Sequence, residues 1–151
     1  MPSKRKSWRD NLTGDKDLPK IENIPPQFEA KWGTGTFVIA RPREVDAIMR
    51  RVPEGNLITI NEIRKRLAKK HGTTTACPIT TGIFAWIAAH CADENAQAGN
   101  DATPYWRTLK AGGELNPKYP GGVDALKLRL TSEGHVFEQR GKRVFVKGFG
   151  K

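Results

Sequence analysis

A chain of 151 residues with 37% hydrophobic content and four tryptophans is the size of one ordinary domain, with room for one core and a flexible tail. Its formal net charge of +10 favours polyanionic partners, nucleic acid before anionic membrane. No run approaches the roughly 18 consecutive apolar residues of a membrane span, which excludes a membrane-spanning helix.

The start, MPSKRKSWRDN, is basic without an apolar segment, so a secretory signal is not expected and a cytoplasmic location is. Residues 1–35 are polar, with Pro19, Pro25 and Pro26, and read as an extended or partly disordered basic arm; Lys4, Arg5 and Lys6 are candidates for touching phosphates, with a solvated tail the favoured reading. The remainder, 36–151, reads as one domain. Its lead-in, WGTGTFVIA, predicts a turn and a short strand, because a lone GxG without a preceding strand is no dinucleotide signature.

Pro42 opens a helix whose Val45, Ile48, Met49 and Val52 share one face; Pro53 and Gly55 end it. In TINE, Thr59 and Glu62 form a capping box. The helix that follows buries Ile63 and Leu67, exposes Arg64, Lys65, Arg66, Lys69 and Lys70, and stops at Gly72. In the hydroxyl-rich turn TTTACPITTG, Thr75 is a plausible cap and Pro78 suits a first helical turn. From Ile79, the residues Ile79, Ile83, Trp86 or Ile87, and Cys91 step by three and four, predicting a mostly buried helix. A basic helix, a short turn and a second helix make helix-turn-helix organisation.

ADENAQAGND reads as a polar linker. Val123, Leu126 and Leu130 mark another amphipathic helix, closed by Gly134. HVFEQRGKRVFVKGF predicts a C-terminal β-hairpin around Arg140-Gly141-Lys142. The expected class is mostly α with short β.

Cys77 and Cys91 lack CxxC spacing, and His71, His90 and His135 fall into no ligand pattern with them, so neither metal nor cofactor is expected. His90 and Cys91 are adjacent and diverge by roughly 100° on a helix, which favours a structural thiol over a catalytic pair.

Double-stranded DNA is the partner that suits the charge. Arg64, Arg66, Lys69, Lys70, Lys110 and Lys142 are candidates for neutralising phosphates. Thr74, Thr75, Thr80 and Thr81 lie around a helix start, where hydroxyls and backbone N–H groups bind phosphate, and Ile79 stands beside them. In PYWR, Tyr105 and Trp106 have the chemistry to stack on an extruded base, and Arg107 to hold a phosphate or a local turn. Taken alone, the two aromatics read better as core residues.

Four segments carry a resemblance. VPEGNLITINEIRKRLA is similar to the IPxGxVxTYxxIA segment of methylated-DNA–protein-cysteine methyltransferases. TTGIFAWIA falls where their recognition helix has RAVGxAL, PYWR falls on their active-site PCHR, and YPGGVDALKLRLTSEG is similar to YSGGxxxKxxLLxxEG. The resemblance covers roughly residues 38–135 and implies a winged helix-turn-helix DNA-binding domain, with a base pocket at Tyr105, Trp106, Tyr119, Gly121 and Gly122.

The departures are chemical. Pro104 and Arg107 of the motif are kept, but Tyr105 replaces the nucleophilic Cys and Trp106 the His that activates it. Glu133 matches the carboxylate that orients that His and is expected to have nothing left to orient. A tyrosine hydroxyl, with a pKa near 10, is a poor alkyl acceptor beside a thiolate. Ile60 and Ile79 replace the family's base-rotating Tyr and gap-filling Arg. The pattern resembles the alkyltransferase-like proteins, which lack the acceptor Cys. It implies a monomeric, non-catalytic protein that binds DNA with O-alkylated guanine, associates with the nucleoid, and works with an excision-repair partner. The rival readings are a methyltransferase using a displaced Cys77 or Cys91, a general DNA binder, and a protein-interaction module.

Overall fold

The computed structural model describes residues 8–14 and 17–148; Lys4, Arg5 and Lys6 lie outside the described residues. The elements run α1 (Trp8–Thr13), β1 (Lys20–Asn23), α2 (Glu29–Trp32), β2 (Thr36–Ile39), α3 (Pro42–Arg50), β3 (Ile58–Thr59), α4 (Ile60–His71), β4 (Thr75–Ala76), α5 (Pro78–Gln97), β5 (Thr108–Leu109), α6 (Gly122–Ser132), β6 (Phe137–Arg140) and β7 (Arg143–Val146). The three sheets are small. In the first, β2 is central, antiparallel to β1 with Lys20 opposite Ile39, and parallel to β4 with Phe37 opposite Thr75. In the second, β3 and β5 are parallel, and β6 and β7 form the expected hairpin.

The expected helices start and stop as their local chemistry dictates. α3 begins with Pro42, and the Arg41 N–H donates to Glu44 Oε2 at 2.7 Å. Thr59 Oγ1 accepts from the Glu62 N–H at 3.2 Å, and Gly72 closes α4 in the left-handed conformation at φ 70°.

Three expectations are corrected. Thr75 does not cap α5; it lies in β4, and Cys77 takes the cap position. The supposed linker from Ala92 is helical as far as Gln97, because Ala, Glu, Asn and Gln tolerate a helix and Gln97 Nε2 donates to Asp93 Oδ2 one turn back. Within 1–35, α1 lies across α5, with Trp8 edge-on to Trp86 at 4.8 Å and stacked on His90 at 4.5 Å, while β1 joins the first sheet.

The main core gathers Val45 and Met49 of α3, Ile63 and Leu67 of α4, Leu109, and Leu130 of α6 around the alanines of α5. A smaller cluster of Ile24, Phe37 and Cys77 sits under the first sheet. Both cysteines are free and buried. Among the described residues no helix is long and apolar enough to cross a membrane.

Candidate nucleic-acid interface

The phase of α5 decides which residues face outward. The periodicity of its large apolar residues predicted that Ile79 and Ile83 would be buried. Instead Ile79 is 63% exposed and Ile83 46%, and the buried side is Thr81, Ala85, Ala88, Ala89, Cys91 and Ala92. Helix α5 is packed from three sides by α1, α3 and α4. Alanines let those backbones approach closely, so the bulky side chains are turned away. The outward face, with Ile79, Gly82, Ile83 and Trp86, forms one wall of a cavity of about 440 Å³, and Lys110 and Lys118 help form the opposite wall. The sequence reading missed Ile83, Trp86 and Lys118 as site residues. For Ile83 and Trp86 the signal lies in the three- and four-residue spacing, which reads equally as a core face.

None of the PYWR residues, nor Tyr119, Gly121 or Gly122, lines this cavity, so the expected base pocket does not coincide with it. Pro104 leads into a single 3₁₀ turn, Tyr105–Arg107. Glu133, at the end of α6, is not idle, which corrects the expectation above. Its Oε2 accepts from Trp106 Nε1 at 2.8 Å and from Arg107 Nη2 at 2.8 Å, and its Oε1 accepts from Arg107 Nε at 3.0 Å. Arg107 Nη1 also donates to the Val52 carbonyl at 2.8 Å. Arg107 therefore ties the motif to the end of α3 and to α6, and its donors are not turned to a phosphate. Burial would raise the Glu133 carboxyl, but the bonds from Arg107, Trp106 and the Gly55 N–H outweigh it and hold the group below its ordinary value. The Trp106 ring has the Arg129 guanidinium 4.4 Å and the Arg107 guanidinium 5.5 Å from its centroid.

Tyr105 and Tyr119 are both buried in the main core, edge-on to each other at 6.2 Å, and Tyr105 is also edge-on to Trp106 at 5.4 Å. Burial, helped by the Asp93 charge, pushes the Tyr105 hydroxyl up against the opposing pull of Arg129; burial alone pushes Tyr119 up strongly. A phenol harder to ionise is a still weaker nucleophile. Gly121 and Gly122, at φ 80° and 69°, turn the chain into α6. A Cβ on Gly121 would stand 2.5 Å from the Ala125 Cβ, so this position is closed to a side chain.

The basic and hydroxyl candidates divide into two groups. Arg64 is turned inward, with Nε on the Ala76 carbonyl at 3.0 Å and Nη2 on Thr75 Oγ1 at 3.1 Å. Thr74 Oγ1 donates to the Thr34 carbonyl and accepts from the Thr36 N–H. Thr81 is 2% exposed, with its hydroxyl on the Cys77 carbonyl at 2.6 Å, so it is a helix-internal group and not a phosphate contact. Lys70 pairs with Glu44 at 2.6 Å and Arg66 with Glu62 at 3.1 Å. Lys69 and Lys142 are exposed with no ion pair among the described residues, Lys110 stands at 3.9 Å from Glu114 on the cavity wall, and Thr80 is half-buried near the start of α5. Among the described residues no group of His, Cys, Asp and Glu has the arrangement of a metal site.

The folded chain is thus a mostly helical domain with three small sheets, one of them the C-terminal hairpin, carrying a cavity against α5 and, separately, a saturated aromatic–carboxylate cluster. Neither a protein-family model nor a curated protein matches the chain. Among solved structures it is similar to that of S. pombe Atl1 in complex with damaged DNA containing O6-carboxymethylguanine, at 20% identity over 70% of this chain and 85% of that chain, with a TM-score of 0.49. A likeness at that level defines neither the family of this chain nor its function.

Proposed function

We propose that this chain is a non-catalytic DNA-binding protein of the alkyltransferase-like kind, which presents the start of α5 to duplex DNA and recognises O-alkylated guanine. The observation that carries the reading is the arrangement around Glu133. The segments matching PCHR and YSGG…EG, distant in sequence, converge on one carboxylate, and Trp106 Nε1 occupies its oxygen at 2.8 Å. In the resembling family that carboxylate orients an imidazole which activates a thiol. Here neither imidazole nor thiol is present, and both buried cysteines lie elsewhere in the fold. In this reading the frame holds the fold together and carries no group transfer.

Further support comes from charge and exposure. Ile79 and Ile83 offer an apolar wedge beside Lys110 and Lys118, and an apolar side chain inserted at a base step unstacks it. Lys69 and Lys142 are available for phosphates. Helix α4, the turn and α5 supply the helix-turn-helix of a winged-helix reader, with the β6–β7 hairpin as its wing. Location with the DNA in the cytoplasm, action as a monomer and hand-over to an excision-repair protein belong to the same proposal.

The test is titration of the protein against duplexes with and without O-alkylated guanine at two salt concentrations. Tighter binding to the lesion is expected, with both affinities falling as salt rises. Equal affinity for the two leaves a general DNA binder, and no binding to either ends the reading. Incubation with methylated DNA followed by intact-mass measurement should show no added methyl; one methyl on Cys77 or Cys91 would make the protein a transferase.

A further inference from the structure

The segment before β2 brings two aromatics to the edge of α4. Pro26–Phe28 forms a 3₁₀ turn that runs into α2, so Phe28 and Trp32 stand one helical turn apart. Their rings stack with centroids 4.6 Å apart and planes 13° apart. Phe37 of β2 meets Trp32 edge-on at 5.4 Å. The indole is therefore held by two neighbours before any ligand arrives.

Trp32 lines a second cavity, of about 360 Å³, whose other walls include Asn61, Arg64 and Lys65 of α4 and Thr75 of β4. It has no lining residue in common with the cavity against α5. Arg64 forms wall, tied by Nε to the Ala76 carbonyl, by Nη2 to Thr75 Oγ1 and by Nη1 to Asn61 Oδ1. Asn61 gives only its carbonyl oxygen to Arg64, at 3.4 Å, so its amide N–H groups make no bond among the described residues. Lys65 is exposed and makes no ion pair among them.

A pre-positioned indole, an amide donor and an ammonium group in one cavity are the groups that a nucleotide uses together. The base stacks on the ring, its edge accepts from the amide, and its phosphate meets the lysine. An acidic peptide would use Lys65 and leave the indole unused. A base inside a duplex has both faces already stacked and cannot reach the ring. We propose that the Trp32–Asn61–Lys65 cavity holds an unpaired nucleobase of the strand flanking the duplex that α5 faces. Thr75, which lines the cavity, stands three residues before Pro78, so this wall leads into the start of α5. The inference rests on the DNA-binding reading above.

The experiment compares the full chain on a blunt duplex and on the same duplex carrying a short single-stranded tail on either strand. The tail is expected to tighten binding about tenfold, within the range of one base–aromatic stack. Trp32→Leu and Asn61→Ala should each reduce that ratio, Trp32→Leu to near one, while Trp32→Phe keeps most of it. Asn61→Ala covers the case in which Trp32→Leu disturbs the packing on Phe37. A tail that adds nothing, or a gain that survives both Trp32→Leu and Asn61→Ala, overturns this inference and leaves blunt-duplex binding standing. Failure to bind either DNA overturns both.

Discussion

Glu133 accepts from Trp106, Arg107 and the Gly55 N–H at once, in an ion pair whose side chains are only 13% and 6% exposed. Glu133→Gln keeps the shape but leaves the Arg107 guanidinium without its counter-charge. Breaking such a pair costs about 3–5 kcal/mol, which urea unfolding at neutral pH should register. The folded carboxyl is held below the ordinary glutamate value of 4.5, so its stabilising share is fully present above that value. The share is lost as pH falls through the folded value. Wild type should therefore weaken on the acid side more steeply than Glu133→Gln, measured as stability against pH. At the neighbouring position, Tyr105→Cys alone should still gain no methyl by intact mass, because Trp106 offers no base to form the thiolate. Adding Trp106→His sets an imidazole within reach of Glu133 and should raise the thiolate fraction at neutral pH, read by ultraviolet absorbance.

Helix α4 separates charges that hold the fold from charges that stand in solvent. Arg64 bonds the turn that aims α5, so Arg64→Ala should cost about 1–3 kcal/mol of stability through the carbonyl and hydroxyl it leaves unpaired. Lys69 is exposed and unpaired among the described residues, so Lys69→Ala should leave stability nearly unchanged. It should instead lower the slope of log affinity against log salt by about 1. Paired unfolding and salt titrations on the two variants check both statements. The five lysines and arginines of α4 are alike in sequence, and only their surroundings distinguish them. The start and stop of α4 were legible because Thr59 and Gly72 act within one turn of their own positions; the other half of the expected capping box is missing, since the Glu62 carboxylate pairs with Arg66. The facing of α5 was not, because alanine carries little hydrophobic signal and yet permits the closest packing.

For the whole molecule, with its net charge of +10, the proposed binding to a duplex predicts a linkage effect on stability. With DNA at a hundredfold excess over its dissociation constant, the folded state should gain about 2.7 kcal/mol, a rise of roughly 5–11 °C in Tm. The rise should vanish at high salt; a thermal shift unaffected by salt would contradict a phosphate-based interface. By itself the sequence determined what local physics determines: the caps of α4, the proline starts of α3 and α5, the hairpin turn at Gly141 and the basic bias. Only the tertiary structure decided that Glu133 is saturated by Trp106 and Arg107, that Arg64 and Thr81 are turned inward, and that Trp32 meets Asn61 and Lys65 at a cavity. Those contacts join residues far apart in the chain, and their partners are set by the packing of α5 against its neighbours, which no single segment encodes.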